Sequence, residues 1–364
     1  MARMKRAVFF VVLAVTSPLF AQHVSDPKAS LIDVQARIEL MKKTKEPLLR
    51  DAKAKLASCR KLPEVAAPAT PINIPRHYLN GSHGPTNPAE AAATKVYGQF
   101  ENRITAGMNR YVATGNQKEA KCALDQLDTW RKGGALLDYD PKTSSQAWYQ
   151  VEWTLSSAGV TESVLVTDKK LDQAKLQQVN AWLNQATHKM IAFEGPNDLN
   201  NHHYWRALAA MSVGVLSSDD DLFQYAVKAY EGAIDELDQN GAFPREMARN
   251  ERASHYQTFA LQPLVPLAEF AARQNVDLYG YAPNGGSIED AIIFFGRSVD
   301  DPSIIKQYTP EKQDEGFGGG DYAPYIFFHN RYPQVELPPS ITTALQKPLG
   351  SSRIGGSITV LGAK

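Results

Sequence analysis

This chain of 364 residues predicts an all-α fold. Three observations carry that reading. Apolar residues recur at helical spacing along most of the chain, the breaks between periodic segments are short and rich in turn residues, and strand alternation is scarce. The composition, 43% apolar and 21% charged, is that of a globular protein rather than a disordered one, and the length suits one large domain.

In chain order, the predicted helices cover 30–58, 90–113, 117–132, 145–159, 170–193, 203–216, 219–237, 247–274 and 287–297. The first ends at Cys59 and is followed by 63–89, rich in Pro, Gly, Asn and Ser, which reads as a long loop. Gly115-Asn116 turns the second helix back on the third, and Gly133-Gly134 ends that hairpin. The helix at 203–216 follows Asn200-Asn201, preferred cap residues, and is apolar from Ala207 to Leu216. Ser217-Ser218-Asp219 and Asn240-Gly241 bracket the next helix. Residues 245–256 hold neither Gly nor Pro and run on into the apolar Phe259-Ala260-Leu261 and Leu264-Val265-Pro266-Leu267, so one helix is expected over 247–274. Residues 308–322 read as a second flexible loop, and Ser357 to Leu361 is the best strand candidate.

Two clusters carry chemistry. Asn200-Asn201-His202-His203-Tyr204-Trp205 sits at a predicted helix N-terminus, where free N–H groups and the helix dipole favour an anion. Capping and packing alone would account for it equally well. In the second cluster, Arg245, Arg249, Arg252 and Tyr256 fall on one stripe at helical pitch. Most basic runs are solvated faces. Like charges at this spacing repel, however, and the stripe makes more sense facing an anionic ligand.

Taken together, NNHxYW and, some fifty residues later, R-x-x-R-A-x-x-Y resemble the motifs of the polysaccharide lyase family 5 alginate lyases, periplasmic enzymes acting on poly-mannuronate. The segments CALDQLDTWRKGGAL and 221–271 resemble that family too, strongly over 197–273 and loosely elsewhere. One departure is His203, where the family often carries Ser. The resemblance implies an (α/α) toroid, an incomplete barrel of helical hairpins with 63–89 as a mobile lid. It implies Asn201, His202, Arg249 and Tyr256 as catalytic residues. It also points to Tyr78 in the lid, Tyr149, Gln150 and His255 as substrate contacts, with no metal and no cofactor.

The chemistry of a uronate lyase fits those side chains. Neutralising the C6 carboxylate acidifies the C5 proton and stabilises the enolate-like intermediate. An Asn amide and an Arg guanidinium donate without changing charge, which assigns Asn201 and Arg249 to that task. Tyr256 as base needs its pKa lowered by neighbouring cations, and Arg249 and Arg252 are placed to do so. His202 either stabilises the tyrosinate or takes the proton itself. Tyr204 and Trp205 can stack on sugar faces, and Arg353, ahead of Ile-Gly-Gly, can reach the cleft from the C-terminal segment.

Other classes fit less well. Adjacent histidines on a helix point apart, and no HExxH or paired Cys spacing is present, which disfavours a zinc site. A glycosidase needs two carboxylates across one bond, and Asp198, Glu246 and Glu251 form no obvious pair. A non-catalytic polyuronate-binding protein would not need Tyr256 beside Asn201 and His202. Mannuronate blocks are the expected substrate; polyglucuronate or hyaluronan-like chains are the alternative.

Arg3, Lys5 and Arg6, the apolar Val8 to Val15 and the small residue Ala21 predict a leader peptide cleaved after Ala21, and so a periplasmic or secreted protein, free of the membrane. Lys plus Arg and Asp plus Glu number 39 each, so a polyanion must be met by a local basic cleft. That balance argues against nucleic acid as a partner. Cys59 and Cys122, the only cysteines, are expected to bridge in an oxidising compartment, two free thiols being the alternative. A monomer is expected.

Overall fold

Side-chain caps start three of the central helices at one end of the molecule. Asn87 accepts from Ala89 N, Ser144 from Ala147 N and Asn200 from His202 N. The structure is a computed structural model that describes residues 22–80, 83–314 and 316–362. The expected leader peptide lies outside the described residues. The chain begins with α1 (Val34–Lys43) and α2 (Pro47–Lys55), where the sequence suggested a single helix over 30–58. Pro47 is the cause: it bars the helical conformation from Glu46, which sits at φ −58° and ψ 125°.

A small hairpin follows, β1 (Tyr78–Asn80) against β2 (His83–Thr86). The main helices are α3 (Pro88–Thr114), α4 (Gln117–Lys132), α5 (Ser145–Leu165), α6 (Gln173–Ile191), α7 (Asn201–Ser217) and α8 (Asp220–Asp235). After the short α9 (Pro244–Met247) come α10 (Ala253–Arg273) and α11 (Ile288–Asp300). α3, α5, α7 and α10 lie side by side as an inner row, each backed by the next helix of its hairpin: α4, α6, α8 and α11. This is the (α/α) toroid, 62% helical.

α5 and α7 are buried nearly all round, so they lack a polar stripe. Every residue of α5 except Ser145 and Tyr149 is buried. Gly159 permits the close approach of α5 to α7: a methyl group there would sit 2.2 Å from Ser212 Oγ. The last elements are α12 (Gly319–Tyr322), α13 (Tyr325–Arg331), α14 (Pro339–Ala344), β3 (Gly350–Ser351), β4 (Gly356–Ser357) and α15 (Ile358–Gly362). Of the strand expected at 357–361, only Ser357 pairs, in β4, and the rest is corrected to the buried helical turn α15. A short apolar run that is buried on every side gives no period to read.

Both loops are also more ordered than the sequence suggests. Val65, Ile72 and Ile74 are in the core, and Trp130 Nε1 donates to Val65 O at 3.0 Å. Of the segment 63–89, Arg76, His77 and Tyr78 line the cleft. In 308–322, Gln313 accepts from Ser254 N at 3.0 Å and donates to Asn250 O at 2.9 Å, which ties that segment to the start of α10.

Cys59 and Cys122 are bridged, joining the turn before the loop to α4. The bridge spans 63 residues, so in the chain-entropy model it stabilises the fold by about 4 kcal/mol. The denatured, unreduced protein is expected to show no titratable thiol, and reduction should lower the midpoint of denaturant unfolding. Two free thiols before reduction would rule the bridge out.

Candidate active site

The amino ends of α3, α5, α7 and α10 open onto one cavity of about 690 Å³, lined by Glu90, Tyr149, His202 and Tyr256 among others. Aligned helix N-termini add positive potential at that end. Arg76, Arg249 and Arg353 add three guanidiniums to the walls. The cleft is therefore cationic within a chain that carries equal numbers of acidic and basic residues.

Tyr256, on the first turn of α10, is most of the way buried against Phe259. The Arg249 guanidinium lies over its ring, 4.4 Å from the centroid, and its hydroxyl is 3.4 Å from that of Tyr78 on the lid hairpin. Burial, reinforced by the neighbouring Tyr78, pushes the Tyr256 pKa well above the ordinary phenol value, while Arg249 opposes the shift. The sequence argument expected the opposite sign. A single stacked guanidinium does not outweigh the loss of solvent, so the resting side chain is a phenol.

His202 projects from the first turn of α7 and stacks on Tyr149 at 3.5 Å between centroids. Its Nδ1 is 2.5 Å from Glu152 Oε1. Desolvation, with Arg206, Arg249 and Arg353 nearby, holds its pKa well below the usual imidazole value, so the ring is neutral. His255 and Arg353 complete the wall, the Arg353 guanidinium lying 3.9 Å over the Trp153 ring.

Several predicted site residues stand elsewhere. Asn201 is fully buried behind the cleft wall: its backbone N and its amide donate to Glu246 at 2.7 and 3.0 Å. The Asn201 amide therefore does not face the cleft in this state, a correction to its expected direct role. Gln150 is also buried, donating to Glu101 and Thr154, and makes no part of the wall. Tyr204 and Trp205 point into the core, against Phe243 and Phe259, so neither is a sugar-stacking platform. The reason is helical geometry: of the residues in one turn only those on one side face the cleft, and His202 takes that side. Arg252 stands behind the lid, 4.7 Å over the Tyr78 ring and 3.4 Å from Asp314.

The four-residue basic stripe is broken as well. The helix stops at Met247, and Asn250, with a left-handed φ of 52°, opens a short 3-10 turn that leads into α10. Arg245 consequently turns away to pair with Glu236 at 2.8 Å, while Arg249 and Tyr256 meet in the cleft.

Two buried carboxylates support the site in ways the sequence does not show: Glu152 is not singled out there, and Glu246 is weighed only as a glycosidase acid. Glu246 binds Asn201 and lies 3.6 Å from Arg249, and Glu152 binds His202. An i,i+3 acid–base pair and an acid within an apolar helix were the available signals. Among the described residues, no three His, Cys, Asp or Glu side chains group as ligands for a metal ion.

In this helical toroid the inner helix ends converge on a cleft of arginine, histidine and tyrosine, a set of side chains able to hold an anion. The alginate lyase family model matches residues 40–305, and the chain belongs to that family. An alginate lyase of Pseudomonas syringae pv. syringae is 31% identical over 232 residues, 61% of this chain and 60% of that protein. The chain thus spans about three-fifths of the length of that relative. The crystal structure of alginate lyase A1-III from Sphingomonas species A1 superimposes with a TM-score of 0.86 at 36% identity, covering 94% of this chain and 97% of that one. A histidine-to-alanine variant of A1-III, complexed with a tetrasaccharide, matches with a TM-score of 0.87 at 35% identity over the same shares.

Proposed function

We propose that this protein is a periplasmic lyase that cleaves poly-β-D-mannuronate, the alginate polymer, by β-elimination. The observation that carries the proposal is the Arg249 guanidinium stacked on the Tyr256 phenol, in one cleft with the neutral His202. Family membership and the cationic cleft support a polyuronate substrate. The disulfide suits an oxidising compartment.

In the proposed reaction Arg249 meets the C6 carboxylate, and the Asn201–Glu246 pair behind it holds the wall in register. The C5 proton passes to His202 as the C4=C5 double bond forms and the C4–O4 bond breaks. The Tyr256 hydroxyl gives its proton to O4. Proton return from imidazolium to tyrosinate resets the site. This division follows from the protonation states: the phenol arrives with its proton and the imidazole with a lone pair.

A panel of purified polyuronates, followed by absorbance of the unsaturated uronyl product, tests the proposal. Mannuronate blocks should give the highest kcat/KM. Preference for polyglucuronate or hyaluronan would overturn the substrate, and product without the double bond would overturn the reaction.

A further inference from the structure

Glu152 is fully buried at the middle of an inner helix, where a carboxylate is costly unless paired. Its two oxygens are divided. Oε1 meets His202 Nδ1 at 2.5 Å, and Oε2 accepts from Arg206 Nη1 at 3.1 Å. Arg206 is itself fully buried and held on every side: Nε donates to Glu194 at 2.6 Å, Nη2 to Asp198 O at 2.7 Å, and the guanidinium lies 4.2 Å over the Trp148 ring. A guanidinium is always charged, so its bond to Oε2 favours the carboxylate form of Glu152 against the burial that pushes the carboxyl upward.

The other edge of the imidazole is free. Nε2 has no hydrogen-bond partner among the described residues, yet it is not one of the buried unpartnered atoms, and His202 lines the cleft. The ring cannot swing to another partner, because Tyr149 stacks on its face at 3.5 Å and Trp153 lies at 6.0 Å. We infer that Glu152, clamped by Arg206, is a positioning residue that fixes the His202 tautomer, Nδ1–H donated to Glu152 and the Nε2 lone pair directed into the cleft. The carboxylate then also stabilises the imidazolium once Nε2 has taken a proton, as the buried acid of a serine-protease triad does. This inference rests on the proposed base role of His202. The charged groups around the ring are Glu152 from α5, Arg206 from α7, Arg249 before α10 and Arg353 from the C-terminal turn. Glu152 supplies the negative charge among them.

Two measurements on the full chain test it. Long-range proton–nitrogen NMR correlations of the wild-type protein should show His202 Nδ1 protonated and Nε2 bare at neutral pH. The opposite tautomer would overturn the inference whatever the enzyme's activity. Glu152→Gln should lower kcat on the order of 10²-fold or more with KM little changed, and should shift the acidic limb of the pH–rate profile to lower pH, since the imidazolium loses its anion. An unchanged kcat and pH profile would overturn the positioning role. Failure of the lyase reading is separate: it would appear as absence of unsaturated product from the wild-type protein. Should Glu152→Gln not fold, the wild-type tautomer still decides.

Discussion

Tyr256→Phe is expected to lower kcat by about 10³-fold or more while leaving affinity for the polymer nearly intact. The substitution removes one oxygen and keeps the ring. The ring's packing against Phe259 and beneath the Arg249 guanidinium is retained, so the cleft keeps its shape. What disappears is the proton for O4 and the 3.4 Å contact with the lid hydroxyl of Tyr78. Burial holds the wild-type phenol protonated, so the step served by this residue does not depend on deprotonating it first. Activity should therefore not rise toward alkaline pH with a phenol titration. Binding of an oligomannuronate by calorimetry, beside single-turnover rates, separates the two effects. A variant that turns over at the wild-type rate would remove Tyr256 from the reaction, and one that fails to bind would recast it as a contact.

The hairpin architecture was legible in the sequence because helices announce themselves through period and punctuation. Gly115-Asn116 and Ser218-Asp219 fall between helices in the structure, as the sequence suggests. Where signals were local and conflicting, reading failed. Pro47 outranks the apolar period of 30–58, and Asn250 breaks the stretch 245–256, which contains no Gly or Pro. The motif residues His202, Arg249 and Tyr256 do meet in one cleft. Direction is harder to read than identity: Tyr204, Trp205 and Asn201 share a motif with His202 yet face inward, as does Gln150 next to Tyr149. The roles of Glu152 and Glu246 were not legible because their meaning lies in partners 50 and 45 residues away. The sign of the Tyr256 shift was likewise beyond a sequence, since burial is a property of the fold.

Arg249→Ala is expected to cost about 10²- to 10³-fold in kcat, as for loss of a donor to developing negative charge. Three effects add. The uronate carboxylate loses its counter-charge, so the C5 proton becomes less acidic. The Tyr256 ring loses the cation at 4.4 Å, which now opposes the upward push of burial on its pKa, so the phenol becomes a weaker acid toward O4. The Glu246 carboxyl, 1% exposed, loses the Arg249 charge that holds its pKa down against burial, and so protonates more readily. Arg249→Lys should recover only part of the rate, because an ammonium restores charge without the planar fork or the stack on the ring. Kinetics of both variants beside their thermal midpoints distinguish the outcomes. A rise in KM with kcat intact would make Arg249 a binding residue only, since an interaction worth as much before the transition state as within it lowers KM and leaves kcat alone.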